Sequence, residues 1–483
     1  MEQSEWEVDT LPEDRNARKQ AAAEQTGALA RWAAGLRWAQ VPQRVRQRFS
    51  LVLLDTLAVT LAGSRTEGQR RIRAVWPQPE GRSPVLGTGQ LTQVDAAAYL
   101  NATAMVCCEL DEGGKYAGGH PAAHAFPAVL ALAADLGSSG ERTACALLAG
   151  YEVAARFGRA TSLHPGSHPH GNWGVAGAAA GCAVLLGLTP EQVAAAIDTG
   201  AGLPVAGHFD SALDGHRVRD AWVGATATSG LAAARLAQVG VVRTTGTAAL
   251  SLGTLLGSFD PDVLTGELGT QWQIEANYFK QHASCSYTHP AADLALELRD
   301  QHLQGMTHSQ IVDAVSEVNI RTHALAAPLS RTGWDSSLSA MFSIPYAVAA
   351  ALLHGAITPA MADATEQQQP ALFALARKVT VEEAADLTAL LPHQRATRLD
   401  ALVAGGDRIR LEAPHPVGDS NHHPFTERTL YAVLVRLLSD RTTVDRLRRI
   451  TEDLPESPDA GALLRTLSQI GLPTSSPAPG GNT

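Results

Sequence analysis

The stretch GNWGVAGAAAGCAVLLGLTP, residues 171–190, has no charged side chain from one end to the other. A charge-free run of this length is either a membrane span or a helix sunk in a protein core. Composition separates the two. The run is built largely of Ala and Gly, in place of the Leu, Ile and Phe that face lipid, and side chains that small let neighbouring helices approach closely. It therefore predicts a tightly packed helix over residues 173–186 inside a large helical bundle, and no membrane association.

The same texture extends outward from this run. Val45, Phe49, Val52, Leu53 and Leu57 fall on one stripe of residues 41–62, which Gly63 and Ser64 should stop. Ala144, Leu147, Leu148, Tyr151 and Ala154 fall on one stripe of residues 142–156. Further helices are expected over residues 93–108, 121–136, 190–201 and 221–239, so residues 26–275 read as an all-helical domain. Near Gln271 the pattern changes: Val318, Ile320 and Thr322, then Val379 and Val381, then Ile409 and Leu411 alternate with polar residues, the period of half-buried strands. With helices over residues 289–299 and 343–354 among them, residues 276–424 read as a smaller α+β lid domain. In FTERTLYAVLVRLLSD, Thr426 is an N-cap, and residues 425–470 are expected to return as helices to the first domain. Residues 1–25 are expected to be disordered or loosely ordered and the tail, 471–483, to be disordered. The fold class is thus mainly α, a large all-helical bundle domain plus a smaller α+β lid domain.

Charge and cysteine content narrow the partners. The 483 residues carry 38 Lys+Arg against 48 Asp+Glu, a net charge of −10. An acidic balance argues against a nucleic-acid or anionic-membrane surface. Five cysteines, with only Cys107 and Cys108 close together, form neither a disulfide framework nor a paired zinc pattern. The opening MEQSEWEVDTLPEDRNARK lacks the basic and apolar regions of a secretory signal. A cytoplasmic location is the expectation.

Histidine points to the chemistry. His120 and His124 lie in GGHPAAH; His164, His168 and His170 in SLHPGSHPHGNWG; His282 and His289 in FKQHASCSYTHP. Pro fixes φ and Gly frees it, so such motifs are rigid loops at helix ends that can aim side chains into a cleft. A metal set drawn from His164, His168 and His170 with Glu109 and Asp111 is disfavoured: Pro165 and Pro169 break the shared helix face and no Cys pair accompanies them. Glu109, Asp111 and Glu112 follow AYLNATAMVCC, where a buried helix emerges, a place for a carboxylate to act as base or orienter. Lys280, beside Tyr278 and Phe279, is expected to be partly buried and to need an anionic partner, protein or ligand. Arg217 and Arg219 sit in GHRVRDAWVG. Neither a G-x-G-x-x-G nor a G-x-x-x-x-G-K-[ST] phosphate loop occurs, so a nucleotide cofactor is not expected, and the lack of a G-x-S-x-G elbow disfavours a serine hydrolase of the α/β type.

The segments LLDTLAVTLAG, NATAMVCCELDE, GGHPAAHAFPAVLALA, AGYEVAARFG, HPHGNWGVAGAAAG, FKQHASCSYTHPAADL and MFSIPYAVAAALLHG follow one another between about residues 30 and 438. In that order they resemble the MmgE/PrpD family, which includes 2-methylcitrate dehydratase, cis-aconitate decarboxylase and iminodisuccinate epimerase. The resemblance implies a cofactor-free, dimeric enzyme on small polycarboxylates, with its site between a helical domain and an α+β lid. The family's acidic H-x-L-D-F-D-D segment falls on residues 106–112, with Glu109 in place of the first Asp and Asp111 retained. His120, His168, Arg219, Lys280 and Tyr346 fall on the other matching motif positions. The departures are Val106, Glu112, Gly113 where decarboxylases carry a hydroxyl, Cys285 where they carry a histidine, and His170.

The expectation is a lyase, foremost a dehydratase of a small hydroxy-carboxylate. His120 and His168 form the acid/base pair, Tyr346 donates to a substrate oxygen, and Glu109 or Asp111 orients a histidine. Arg219 and Lys280 hold carboxylates, with His170, Cys285 and His289 beside the substrate. The alternatives are an epimerase or isomerase, a decarboxylase, or a binding homologue without catalysis. The resemblance, together with a charge-free surface around residues 171–188 that one bundle need not fully bury, predicts a homodimer.

Overall fold

The computed structural model describes residues 12–471. Helices α1 (Pro12–Ala34), α2 (Gln43–Ser64), α3 (Val94–Val106), α4 (Pro121–Leu136), α5 (Gly140–Ala160), α6 (Gly174–Leu186), α7 (Pro190–Ala201) and α8 (Val218–Gln238) follow one another in the first half of the chain. The charge-free run becomes α6, which is packed by α4, α5, α7 and α8. A Cβ on Gly177 would stand 2.4 Å from the Ala154 Cβ and 2.6 Å from the Gly150 carbonyl oxygen, so α5 and α6 cross with their backbones nearly in contact. Residues 171–183 are all buried. Over residues 171–183 the surface expected to serve a dimer is therefore consumed within the chain, because four helices surround α6, while Val184, Leu186 and Leu188 stay partly exposed.

The N-terminal segment also differs from expectation. Residues 12–25, expected to be loosely ordered, form the first part of α1. The run Ala21, Ala22, Ala23 favours helix, and Ala22, Thr26, Leu29, Ala30 and Ala33 are buried as α1 packs on α7. Residues 1–11 and 472–483 lie outside the described residues.

The buried apolar side chains fall into two clusters. One unites the helices above with residues 417–470, where α11 (Glu427–Leu438) and α12 (Arg441–Asp453) pack on α2; Thr426 caps α11, accepting from the Thr429 N–H at 3.2 Å. The second cluster spans residues 285–413, with Ala212. It lies between α9 (His289–His302), α10 (Ile344–His354) and a four-stranded sheet. The strands β1 (Val315–Thr322), β2 (Val379–Glu383), β3 (Thr397–Val403) and β4 (Arg408–Ala413) run in the order β4-β3-β1-β2, antiparallel except for β1 with β2. On β3, Thr397, Leu399, Ala401 and Val403 are buried while the residues between are half-buried, so one face meets the helices. Among the described residues no single helix is long and apolar enough to cross a membrane.

Candidate active site

A cavity of about 490 Å³ opens where the two cores meet, within the usual size range of small-molecule sites. Its walls come from the loops at 109–120 and 161–173, from the start of α8, and from residues 278–287, 324–328, 342 and 395 of the second half.

Glu109 lies just past the end of α3 with φ +50, a left-handed residue that turns its carboxylate inward. It is buried between two cations. Arg219, in the first turn of α8, pairs with Oε1, and Lys280 Nζ lies 3.2 Å from Oε2 and from the Glu109 carbonyl oxygen. Arg219 also reaches Asp220 Oδ1 at 3.1 Å and the Val106 carbonyl at 3.2 Å. Burial opposes the charge of Lys280, but the carboxylates of Glu109 and Asp111 outweigh it and hold the ammonium above the usual lysine range. Both cations expected to anchor substrate are thus already paired, and Lys280 stands behind the cavity wall. Glu109 orients no histidine.

Asp111 does lie beside one. Its Oδ2 is 3.0 Å from His120 Nδ1. Burial alone would raise the Asp111 carboxyl; the charges of His120, Lys280 and Arg219 outweigh burial and hold it well below the usual carboxylate range. His120 caps α4, with Pro121 in the first turn. Its Nδ1 lies 2.7 Å from the Glu112 carbonyl oxygen, which can only accept, so Nδ1 carries a proton and Nε2 is the nitrogen left to gain or lose one. That nitrogen is left to the cavity, which His120 lines.

His168 is presented the other way round. The His170 N–H donates to its Nδ1 at 3.1 Å. Burial, then the charge of Arg219, push the ring well below the usual imidazole range, so His168 is neutral with its proton on Nε2. It enters the cavity as a hydrogen-bond donor, not as a base. His170 sits edge-on to His120, His124 and His168, at ring separations of 5.3, 5.5 and 4.5 Å, and burial and Arg219 keep it neutral too. His124, outside the expected site, completes the cluster. Its Nδ1 donates to the His120 carbonyl at 2.7 Å and its Nε2 accepts from the Gly171 N–H at 3.4 Å, and burial lowers it to about 4. It fastens the two histidine loops together.

Three other expectations meet different surroundings. Tyr346 lies in the second core with its ring 5.1 Å from Trp334, and is not part of the cavity wall; the period of α10 turns it into that core. His289, in the first turn of α9, points its Nε2 at the Ser284 carbonyl (3.3 Å) and lines a separate small crevice. Cys285 does line the cavity, and burial pushes its thiol up to about 11, so it is a neutral wall group. The wall also holds Tyr278, Ser286 and Arg395, none of which was expected as a site residue, although Tyr278 and Ser286 lie in or beside the FKQHASCSYTHP motif. Tyr278 accounts for Gly113: the short strands Gly113–Gly114 and Asn277–Tyr278 pair, and a Cβ on Gly113 would collide with the Tyr278 ring and hydroxyl. Away from the cavity, among the described residues His415, Asp419 and His422 alone bring metal-type donors within 4.8 Å of one another, and there Lys115 already pairs with Asp419 at 2.8 Å.

The sequence matches the MmgE/PrpD N-terminal domain over residues 27–255 and the MmgE/PrpD C-terminal domain over residues 282–454. The chain belongs to the MmgE/PrpD family. It is 26% identical over 490 residues to the cis-aconitate decarboxylase of Aspergillus terreus, covering 94% of this chain and 97% of that protein. It is 26% identical over 480 residues to the cis-aconitate decarboxylase-like protein oryM of Aspergillus oryzae, covering 92% and 97%. The cis-aconitate decarboxylase of Homo sapiens is 26% identical over 376 residues, 72% of this chain and 74% of that protein. Within this MmgE/PrpD chain the cavity lies between the two matched domains, with the histidine cluster on the first and Cys285, Ser286 and Arg395 on the second.

Proposed function

We propose that the protein is a lyase of a small carboxylate, working through a carbanion next to that carboxylate, with His120 as the proton-transferring group. The observation that carries this reading is the Asp111–His120 pair, whose tautomer leaves Nε2 to the cavity. A buried carboxylate on the far nitrogen favours the imidazolium that forms when the ring takes a proton. His168 Nε2–H then faces the developing oxyanion as a fixed donor.

Two lyase reactions use such a carbanion. Loss of CO2 needs one proton returned to carbon, which His120 can deliver from Nε2 once the ring has taken that proton from solvent as the imidazolium beside Asp111; the names of the relatives support this reading, and it takes first place. Loss of water needs a base at carbon and an acid at the departing hydroxyl. His168 is held as a neutral donor, a weak acid for that second task. Dehydration is the second reading, favoured by the hydroxyls of Ser167, Ser286 and Tyr278 on the wall. This order reverses the one expected from the departures at Gly113 and Cys285: the Tyr278 hydroxyl occupies the space beside the glycine, while Cys285 remains a neutral wall group.

The test is to incubate the full chain with cis-aconitate and with citrate in deuterated water, following released CO2 and the mass of the products. Loss of CO2 with one deuterium bound to carbon is the expected result, and loss of water would favour the second reading. If neither acid reacts nor exchanges a carbon-bound proton, and a wider panel of di- and tricarboxylates behaves the same, the lyase reading fails.

A further inference from the structure

Two arginines line the cavity, and their surroundings are opposite in kind. Arg219 is paired with Glu109 and Asp220. Arg395, in the segment LPHQRATRL leading into β3, is held by neutral groups: the Tyr278 and Tyr287 rings, 5.6 and 5.3 Å from its guanidinium carbon, and the Ser286 hydroxyl at 3.4 Å. Among the described residues no carboxylate lies within ion-pair distance of it.

A guanidinium stays charged at any working pH, and a half-buried cation with no counter-charge is unfavourable until an anion meets it. Its planar fork of N–H groups matches a carboxylate with two parallel hydrogen bonds. The two aromatic faces hold the fork in place. Ser286, accepting from Arg395, has its own O–H left to donate to the same anion.

We propose that Arg395, with the Ser286 hydroxyl, anchors a carboxylate of the substrate other than the one next to the reacting carbon. The substrate is then at least a dicarboxylate, reaching across the cavity from the histidines of the first domain to Arg395 of the second. This rests on the lyase reading and adds to it a residue that selects among acids. A clamp that only keeps Tyr278 and Tyr287 in place would not discriminate between ligands by their number of carboxylates.

Binding of three unreactive acids to the full chain tests the anchor: tricarballylate, glutarate and butyrate, with three, two and one carboxylates, read by calorimetry and, for weak binding, by ligand-observed NMR. Arg395→Gln should weaken tricarballylate and glutarate by about 10- to 100-fold, Arg395→Lys by less, and neither should change butyrate. Melting temperatures check that both variants fold, and Lys, which keeps the charge, carries the test if Gln does not fold. Unchanged tricarballylate binding in the variants would overturn the anchor and leave the lyase reading standing, as would an equal loss for all three acids. A wild-type chain that binds none of the three would overturn both.

Discussion

His120 and His168 share a wall of one cavity yet cannot exchange roles, because main-chain groups fix their protons on opposite nitrogens. His120→Asn should lower kcat by about 100-fold or more, since it removes the proton carrier. Asp111→Asn keeps the shape and loses a charged hydrogen-bond partner, which corresponds to about 10- to 100-fold. His168→Leu removes a donor to the oxyanion and should cost about 100- to 1000-fold, while His168→Gln, which can still donate, should cost less. Both His168 variants should keep the wild-type pH profile of kcat, because burial and Arg219 keep that ring neutral throughout. A limb of the profile that moves in His168→Gln would sink the donor assignment. The histidine loops were legible because Pro and Gly mark rigid turns. Which ring moves the proton was not, since no spacing rule displays the carbonyl of Glu112 or the N–H of His170. Arg395 was hidden for a related reason: it stands in an ordinary polar stretch and reaches the cavity through tertiary packing alone.

Helices α2 to α8 were read nearly to their ends from Ala and Leu at helical spacing, whereas the start of α1 and the helix Glu67–Val75 were not, and α6 is the clearest instance, because a charge-free Ala/Gly run has few other places to go. The short pairings were missed. Gly113–Gly114 with Asn277–Tyr278, and Thr161–Leu163 with Gly257–Phe259, join residues far apart in sequence and are too brief for any period to register. They nonetheless set the site, since the first brings Tyr278 and Lys280 against the acidic segment. The α5–α6 crossing yields a prediction in which one substitution takes opposite signs at two places. Gly177→Ala would press a methyl into Ala154 and the Gly150 carbonyl. Overpacking of about 1–3 kcal/mol should exceed the roughly 1 kcal/mol that Ala brings to a helix. Gly68→Ala, in the exposed helix Glu67–Val75 with nothing within 4 Å of its added carbon, should stabilise by about 0.5–1 kcal/mol. Urea midpoints of the two variants check this, and a Gly177→Ala chain as stable as the wild type would mean that the helices can separate freely.

At the scale of the whole molecule, the buried acids of the first core make stability depend on pH. Glu112 accepts from the Ala122 N–H at 2.9 Å and from the Tyr151 hydroxyl at 3.0 Å, and Asp55 accepts from the Glu112 N–H at 3.1 Å. Burial raises Glu112 to about 7, and burial with the charges of Glu112 and Asp111 raises Asp55 well above the usual carboxylate range. In the unfolded chain Glu112 ionises near its ordinary value of 4.5. Between pH 4.5 and about 7 Glu112 therefore binds more protons in the native state than in the unfolded one, and its contribution to stability must fall as pH rises. The contribution of Glu112 is whole below pH 4.5, lost through this window, and flat above it, a change of order 3 kcal/mol for a shift of this size. Asp55 acts in the same direction. Asp111, held low by its cations, has the opposite sign: its contribution is present at neutral pH and lost only as strong acid protonates it. The buried neutral rings of His124, His168 and His170 also oppose Glu112: burial holds them below the usual imidazole range, so their contribution is present above that range and lost as pH falls, and comparison with a Glu112 variant isolates the carboxyl. Glu112→Gln keeps an acceptor for the Ala122 N–H and an N–H for the Tyr151 oxygen, as the protonated acid does, but cannot ionise. Its unfolding free energy, measured by urea denaturation from pH 4.5 to 8.5, should match the wild type at the acid end and exceed it by an amount that grows until about pH 7. Parallel curves for the two proteins across that range would show that Glu112 ionises in the folded chain as easily as in water.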